Sequence, residues 1–195
     1  MGIEVLPPDI NASSRTFTVH DKSNRFGLGA VKGVGGAAVE AIMESRQEEP
    51  FATLNDFCER ADLRKVNKKV AEALIKCGAF DSLGGKRAQY LAVLEDAMEV
   101  GQKVQRERAA GQESLFGTEE LVSHRGNGYG QLPEVEEWPE KVLLGFEKEA
   151  LGFYITGHPL SRYADTLKRF ASCDTAGLQE RADKEEVQVG GMVAG

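Results

Sequence analysis

The residues best placed to do chemistry are Lys32-Gly33-Val34-Gly35-Gly36. Apolar Leu28, Val31 and Val34 lead into this turn, and a helical pattern with Ala38, Val39 and Ile42 on one face follows it. Glycine at 33 and 35 allows a tight turn with little steric strain and leaves backbone N–H groups uncovered. At the start of the next helix such amides point outward at the positive end of the helix dipole. The chemistry on offer is anion binding, and a phosphate is the natural occupant. The competing reading is an ordinary glycine-rich turn between two packed helices. Nucleotide loops are excluded, because no Gly-Lys-Ser/Thr follows and the spacing of a dinucleotide fingerprint is missing. The pattern assigns no catalytic residue and no metal ligand, and His158 before Pro159 reads as a turn residue.

The positioning elements repeat. Helix, glycine hairpin and helix occur once around Lys32 to Gly36 and again around residues 77–85, a pattern read as two helix-hairpin-helix units packed into one module. Such a hairpin grips a nucleic-acid backbone without reading bases. Thr53 is placed to cap a short helix carrying Leu54, Phe57 and Cys58, and Asn67 to cap another whose buried face is Val70, Ala73, Leu74 and Cys77. A long helix over about 87–110 puts Leu91, Leu94, Met98 and Val104 on one stripe. Between residues 59 and 90 the chain is positive by four, through Arg60, Arg64, Lys65, Lys68, Lys69, Lys76, Lys86 and Arg87. Beside the hairpins this run reads as a phosphate-facing surface, the bland alternative being a solvated helix face.

Outside the module, residues 3–6 and 15–19 alternate as two strands of an N-terminal β-hairpin. Two strands alone are marginal in water, so they are expected to close something larger. After the long helix, Gln112-Glu113-Ser114-Leu115-Phe116 sets an apolar pair beside an amide in a glycine-flanked loop. That composition suits a peptide hook entering an apolar pocket, or a pair folded back as a local staple. Residues 118–139 read as a flexible, acidic linker. A helix from Pro139 and Glu140 is expected to bury Val142, Leu143, Phe146, Ala150 and Leu151; the next carries Tyr163, Leu167 and Phe170, and residues 186–195 read as one terminal strand.

Hydrophobic content of 41% and charged content of 28% over 195 residues fit a globular protein with a real core. The net charge of −7 argues against a wholly basic nucleic-acid binder, so local charge matters more than the total. Cys58, Cys77 and Cys173 lack Cys-x-x-Cys spacing and read as reduced thiols, which together with the absence of a membrane-length apolar run gives a cytoplasmic expectation and no membrane partner.

In order along the chain, the landmarks are Val5-Leu6-Pro7-Pro8-Asp9-Ile10-Asn11, residues 27–35, Lys76-Cys77-Gly78-Ala79-Phe80-Asp81, residues 111–117 and residues 151–160. Together they closely resemble the alpha, or catalytic, subunits of bacterial DNA polymerase III, the family C replicative polymerases. The resemblance implies a mainly α segment: residues 1–27 closing the fingers domain, 28–110 a tandem helix-hairpin-helix module, 111–139 the clamp-binding motif and linker, 140–185 a helical segment, and 186–195 the first strand of a truncated OB-fold. It implies primer-template duplex DNA as partner of Lys32, Gly33, Val34, Gly35, Gly36, Arg64, Lys65, Lys68, Lys69, Lys86 and Arg87. It implies the sliding clamp, the beta subunit, as partner of Gln112, Glu113, Ser114, Leu115 and Phe116, with further holoenzyme subunits reached through the parent protein. Polymerases of this family hold Mg²⁺ on palm aspartates; no Asp-x-Asp occurs here, so the segment is expected to be inactive alone and to need no cofactor. A paralogous error-prone polymerase, a hairpin module of a repair enzyme, and a structural brace without DNA contact stay open as alternatives.

Overall fold

The computed structural model describes residues 4–20, 23–110 and 131–192. Three short strands come first: β1 (Glu4–Leu6), β2 (Thr18–His20) and β3 (Ser23–Arg25), ordered β1-β3-β2. β2 and β3 form an antiparallel hairpin, and β1 adds to β3 in parallel with Val5 opposite Asn24. The expected polar turn at residues 20–24 is therefore partly strand, because its backbone pairs with β1 on one side and β2 on the other.

Helices α1 (Gly36–Ser45), α2 (Leu54–Arg60), α3 (Lys68–Lys76) and α4 (Arg87–Ala109) build the module, and α5 (Glu140–Leu151) packs on it. The chain is mainly α-helical. Thr53 Oγ1 and Asn67 Oδ1 each accept an N–H of the first helical turn, from Asp56 and Val70, both at 3.1 Å. These caps start α2 and α3 where the sequence places them. The core holds an aromatic row in which Phe57 meets Phe51 at 5.1 Å and Phe80 at 5.0 Å, with Tyr90 beyond Phe80 at 6.0 Å. Burying each ring removes enough apolar surface to contribute about 2–3 kcal/mol.

The segment after Pro7-Pro8 ties the sheet to the module. Asp9 Oδ1 accepts the N–H groups of Asn11 and Ala12, both at 2.8 Å, and buried Ile10 donates its N–H to the Ala79 carbonyl at 2.7 Å. The Asn11 amide pairs with both backbone polar groups of Phe51, as a strand residue would. Arg46 reaches back to the Ile10 and Ser13 carbonyls.

The buried face of α4 is Ala88, Tyr90, Leu94, Ala97, Met98 and Gly101, with Leu91 and Val104 only partly covered. Small residues win this stripe because α2 lies close. A Cβ on Gly101 would stand 2.4 Å from the Cys58 carbonyl oxygen, and Gln105 Nε2 donates to the Cys58 and Ala61 carbonyls at 2.9 and 2.7 Å. Burial pushes the Cys58 and Cys77 thiols up to about 12, so both are inert at neutral pH.

Residues 156–192 form a second compact unit. It carries a short helix α6 (Ala164–Phe170), with Tyr163 and Phe170 exposed at its two ends. Residues 186–192 form no strand; Ser172 and Gln188 share backbone and side-chain hydrogen bonds instead.

Gly101→Ala sets two effects against each other: alanine favours a helix by about 1 kcal/mol, while the clash with Cys58 costs about 1–3 kcal/mol. The clash wins, because its nearest atom is backbone and cannot swing away. The expected outcome is a lower melting temperature by several degrees; a rise would mean that α2 and α4 stand further apart.

Candidate nucleic-acid interface

The first hairpin runs from a 3-10 turn at Leu28–Ala30 to the start of α1. Leu28, Val31 and Val34 are buried and pin it from beneath. The amides of Leu28 to Lys32 and of Val34 are all engaged; Val34 N–H donates to the Val31 carbonyl at 3.1 Å and Lys32 N–H to the Ala150 carbonyl of α5 at 2.9 Å. The N–H groups of Gly35, Gly36 and Ala37 meet no acceptor among the described residues, and α1 has neither a side-chain cap nor an acidic residue in its first turn. Val34 thus serves the core and the turn, while the outward amides begin one residue later.

Glycine is required at 33, where φ is +84°, but not by conformation at 35, where φ is −75°. At both positions a Cβ would meet nothing within 4 Å, so the outer surface of the turn is open to a ligand. Lys32 is exposed beside it, with no ion pair among the described residues. Arg15 is a member of this surface that sequence reasoning missed. Its Nη2 lies 3.1 Å from where a Gly36 Cβ would be, and it forms an exposed ion pair with Glu40 at 3.0 Å. Nothing in its strand-like sequence signals this, because residues 15 and 16 form a bend before β2 rather than strand, and that bend lies against the hairpin so that Gly29 N–H meets the Arg15 carbonyl.

The second hairpin is built differently. Gly78 has φ +86°, and a Cβ there would stand 2.3 Å from Arg87 Nη2. Gly84, with φ +84°, follows the 3-10 turn Asp81–Leu83, and α4 begins at Arg87. Here the leading amides are filled from within the chain. One Glu137 carboxylate oxygen accepts Arg87 N–H at 2.8 Å and the other accepts Ala88 N–H at 3.1 Å and Trp138 N–H at 2.9 Å. Burial would raise the Glu137 pKa, but these three backbone donors and the Arg87 charge together hold it below the ordinary carboxylate value. Residues 131–139, expected as linker, are in fact docked. Pro133 and Val135 carbonyls accept from Gln89 Nε2 at 2.7 Å and Lys86 Nζ at 3.3 Å, and Trp138 packs on Phe146 at 5.0 Å. The acidic run reads as solvated until the helix N-terminus that receives Glu137 is known.

The basic residues divide as well. Arg87, expected at the phosphate surface, is 6% exposed. Its guanidinium is held by Asp81 at 2.7 Å, Glu147 at 3.3 Å and the Lys76 carbonyl at 3.2 Å, which removes it from any external partner. Burial pulls its pKa down, but Asp81 and Glu147 outweigh that and raise it. Glu147 is itself fully buried, a position the apolar stripe expected for α5 does not contain; Leu144 is buried too, whereas Val142 is exposed. Arg64 and Lys65 both face Asp62, at 3.0 and 4.0 Å, and the hydrogen bond from Arg64 chiefly lowers the Asp62 pKa. Lys68 pairs with Glu95 of α4 at 3.1 Å, while exposed Lys69 has no ion pair among the described residues. These surface pairs are weak and solvated, so they reduce the local field without abolishing it. Residues 112–116 lie outside the described residues.

A helix-hairpin-helix motif family matches residues 2–90, which contain both hairpins. DNA polymerase III subunit alpha of Vibrio cholerae is 41% identical over 195 residues, covering 99% of this chain and 17% of that protein. The Escherichia coli K12 subunit is 40% identical over 172 residues, covering 87% of this chain and 15% of the relative. That of Xylella fastidiosa is 39% identical, covering 95% and 16%. The chain therefore spans about a sixth of the length of these relatives.

A depressed carboxylate pKa means that Glu137 contributes stability above its unfolded pKa and loses it as the pH falls through the lower, folded value. Glu137→Gln is expected to destabilise the chain by about 1 kcal/mol at pH 7, as loss of a charged N-terminal cap does. Melting curves of the variant and the parent should converge on acidification below about pH 4. A gap that stays constant with pH would show that the carboxylate charge is not what α4 recognises.

Proposed function

Because the chain belongs to the DNA polymerase III subunit alpha family, we propose that it holds a replicative polymerase on duplex primer-template DNA and moors it to the sliding clamp. The single observation that carries the first half is the open turn at the start of α1, where three adjacent N–H groups, on exposed Gly35, half-exposed Gly36 and exposed Ala37, have no internal acceptor among the described residues. A phosphate oxygen satisfies those donors at the positive end of the helix dipole. Lys32 and Arg15 bring charge to the same place, and Arg64, Lys65, Lys68, Lys69 and Lys86 supply a wider, partly neutralised field. Contacts of this kind position a protein on DNA without reading sequence. The second hairpin supports a bracing role, since Glu137 holds its amides and Arg87 is buried.

The second half rests on residue types. Gln112 provides an amide and Leu115 with Phe116 an apolar pair, the complement of a greasy pocket with a polar rim. A tether raises the effective concentration of enzyme at the primer, so a modest peptide affinity is enough for processive synthesis. In this reading the polymerase chemistry and its Mg²⁺ belong to palm aspartates of the parent enzyme, through which other holoenzyme subunits are also reached. Among the described residues no three His, Cys, Asp or Glu side chains converge. Among them, too, no helix is long and apolar enough to cross a membrane.

Duplex binding by the chain should be indifferent to sequence and steep in salt, with a log–log slope of about −0.9 per phosphate engaged. Lys32→Gln combined with Arg15→Gln should weaken all duplexes alike and flatten that slope by about one to two. A slope unaffected by these changes would remove the hairpin from the interface. Leu115→Ala with Phe116→Ala should abolish retention on the clamp while leaving duplex affinity as it was; retention unchanged would remove the hook.

A further inference from the structure

Helix α5 touches both hairpins. In its middle, wholly buried Glu147 faces Arg87 at 3.3 Å, and Arg87 is fastened to Asp81 and the Lys76 carbonyl beneath Gly78. Three residues on, about 4.5 Å along the axis, the Ala150 carbonyl accepts the Lys32 N–H at 2.9 Å. Ala150 belongs to the last turn of α5, whose carbonyls have no intrahelical partner, so this bond closes one end of the helix on the first hairpin. The second Glu147 oxygen accepts Ile155 N–H at 3.2 Å, fastening the chain that leaves α5, and Phe153 meets Phe26 at 5.6 Å. One carboxylate thus sets where α5 lies against the second hairpin and where its end meets the first.

We propose that Glu147 is a positioning residue for the phosphate grip: by locking α5 to Arg87 it holds the Ala150 carbonyl on the Lys32 N–H, and so fixes the turn that presents the amides of Gly35, Gly36 and Ala37. This rests on the DNA-backbone reading above and names what keeps the hairpin in shape. The two hairpins then divide the work, the second anchoring a brace whose far end shapes the first. A buried ion pair that served stability alone would do none of this, because its loss would lower the melting point and leave the folded hairpin unchanged.

The test uses the full chain, well below its melting temperature, with amide hydrogen exchange and duplex titration side by side. Glu147→Gln is expected to speed exchange at the Lys32 amide by about tenfold and to weaken duplex binding by a similar factor, while the Ile42 and Leu74 amides stay protected. Gly152→Val probes the same brace without touching the buried pair and covers the case in which Glu147→Gln does not fold. It strains a φ of +89° at an exposed position where a Cβ meets nothing within 4 Å, and should also release the Lys32 amide. Unchanged Lys32 exchange in the folded variants, or release of that amide with full duplex affinity, would overturn the positioning role. Lys32→Gln with Arg15→Gln separates the two claims. If that pair weakens binding and the brace variants do not, only the positioning role falls; if that pair has no effect, the phosphate grip falls with it.

Discussion

A buried guanidinium must have partners, and the middle of this structure is arranged around that requirement. Arg87 is removed from water at the first turn of α4, where a lone cation would be strongly destabilising. Asp81 supplies one partner from the second hairpin, Glu147 another from α5, and the Lys76 carbonyl a third from the end of α3. Each comes from a different element, so satisfying one side chain fixes how those elements meet. Gly78 is part of the same constraint, since any side chain there would occupy the guanidinium's place.

From that node follows the difference between the hairpins. Both present a glycine in the left-handed region before a helix, at Gly33 and at Gly84. In the second, the chain that enters α5 passes directly over the start of α4, and Glu137 takes the amides there. In the first, the last turn of α5 takes only the Lys32 amide and leaves that of Gly35 without an acceptor among the described residues. One helix start is filled by the protein's own anion, and the other has no acceptor among the described residues. Two turns of the same local pattern thereby differ: one holds the structure, and the other keeps open the amides on which the proposed phosphate grip rests.

The basic surface is modest for the same reason that the net charge is negative: acids are placed opposite many of the bases. Asp62, Glu95 and Glu40 each engage an exposed cation near the module. Backbone amides need no such counter-charge, are not switched off by carboxylates elsewhere on the surface, and bind phosphate whatever the base sequence. A grip built chiefly on amides suits the backbone-holding role proposed above, since such contacts do not depend on base sequence.

The sequence alone determined what depends on neighbours along the chain. The caps at Thr53 and Asn67, the span of α4, the two glycine turns and the family landmarks are all local patterns, and such patterns set backbone propensity directly. Tertiary structure decided what depends on residues far apart. Arg87 reads as one more member of a basic run until Glu147, sixty positions later, is brought against it. Glu137 reads as linker until α4 offers it an unfilled N-terminus, and Arg15 reads as strand until the bend before β2 lays it beside Gly36. Charge and hydrogen bonding act through space, and a side chain's role changes sign with burial. Helix and turn signals act through the bonded chain, which is why they alone could be read in advance.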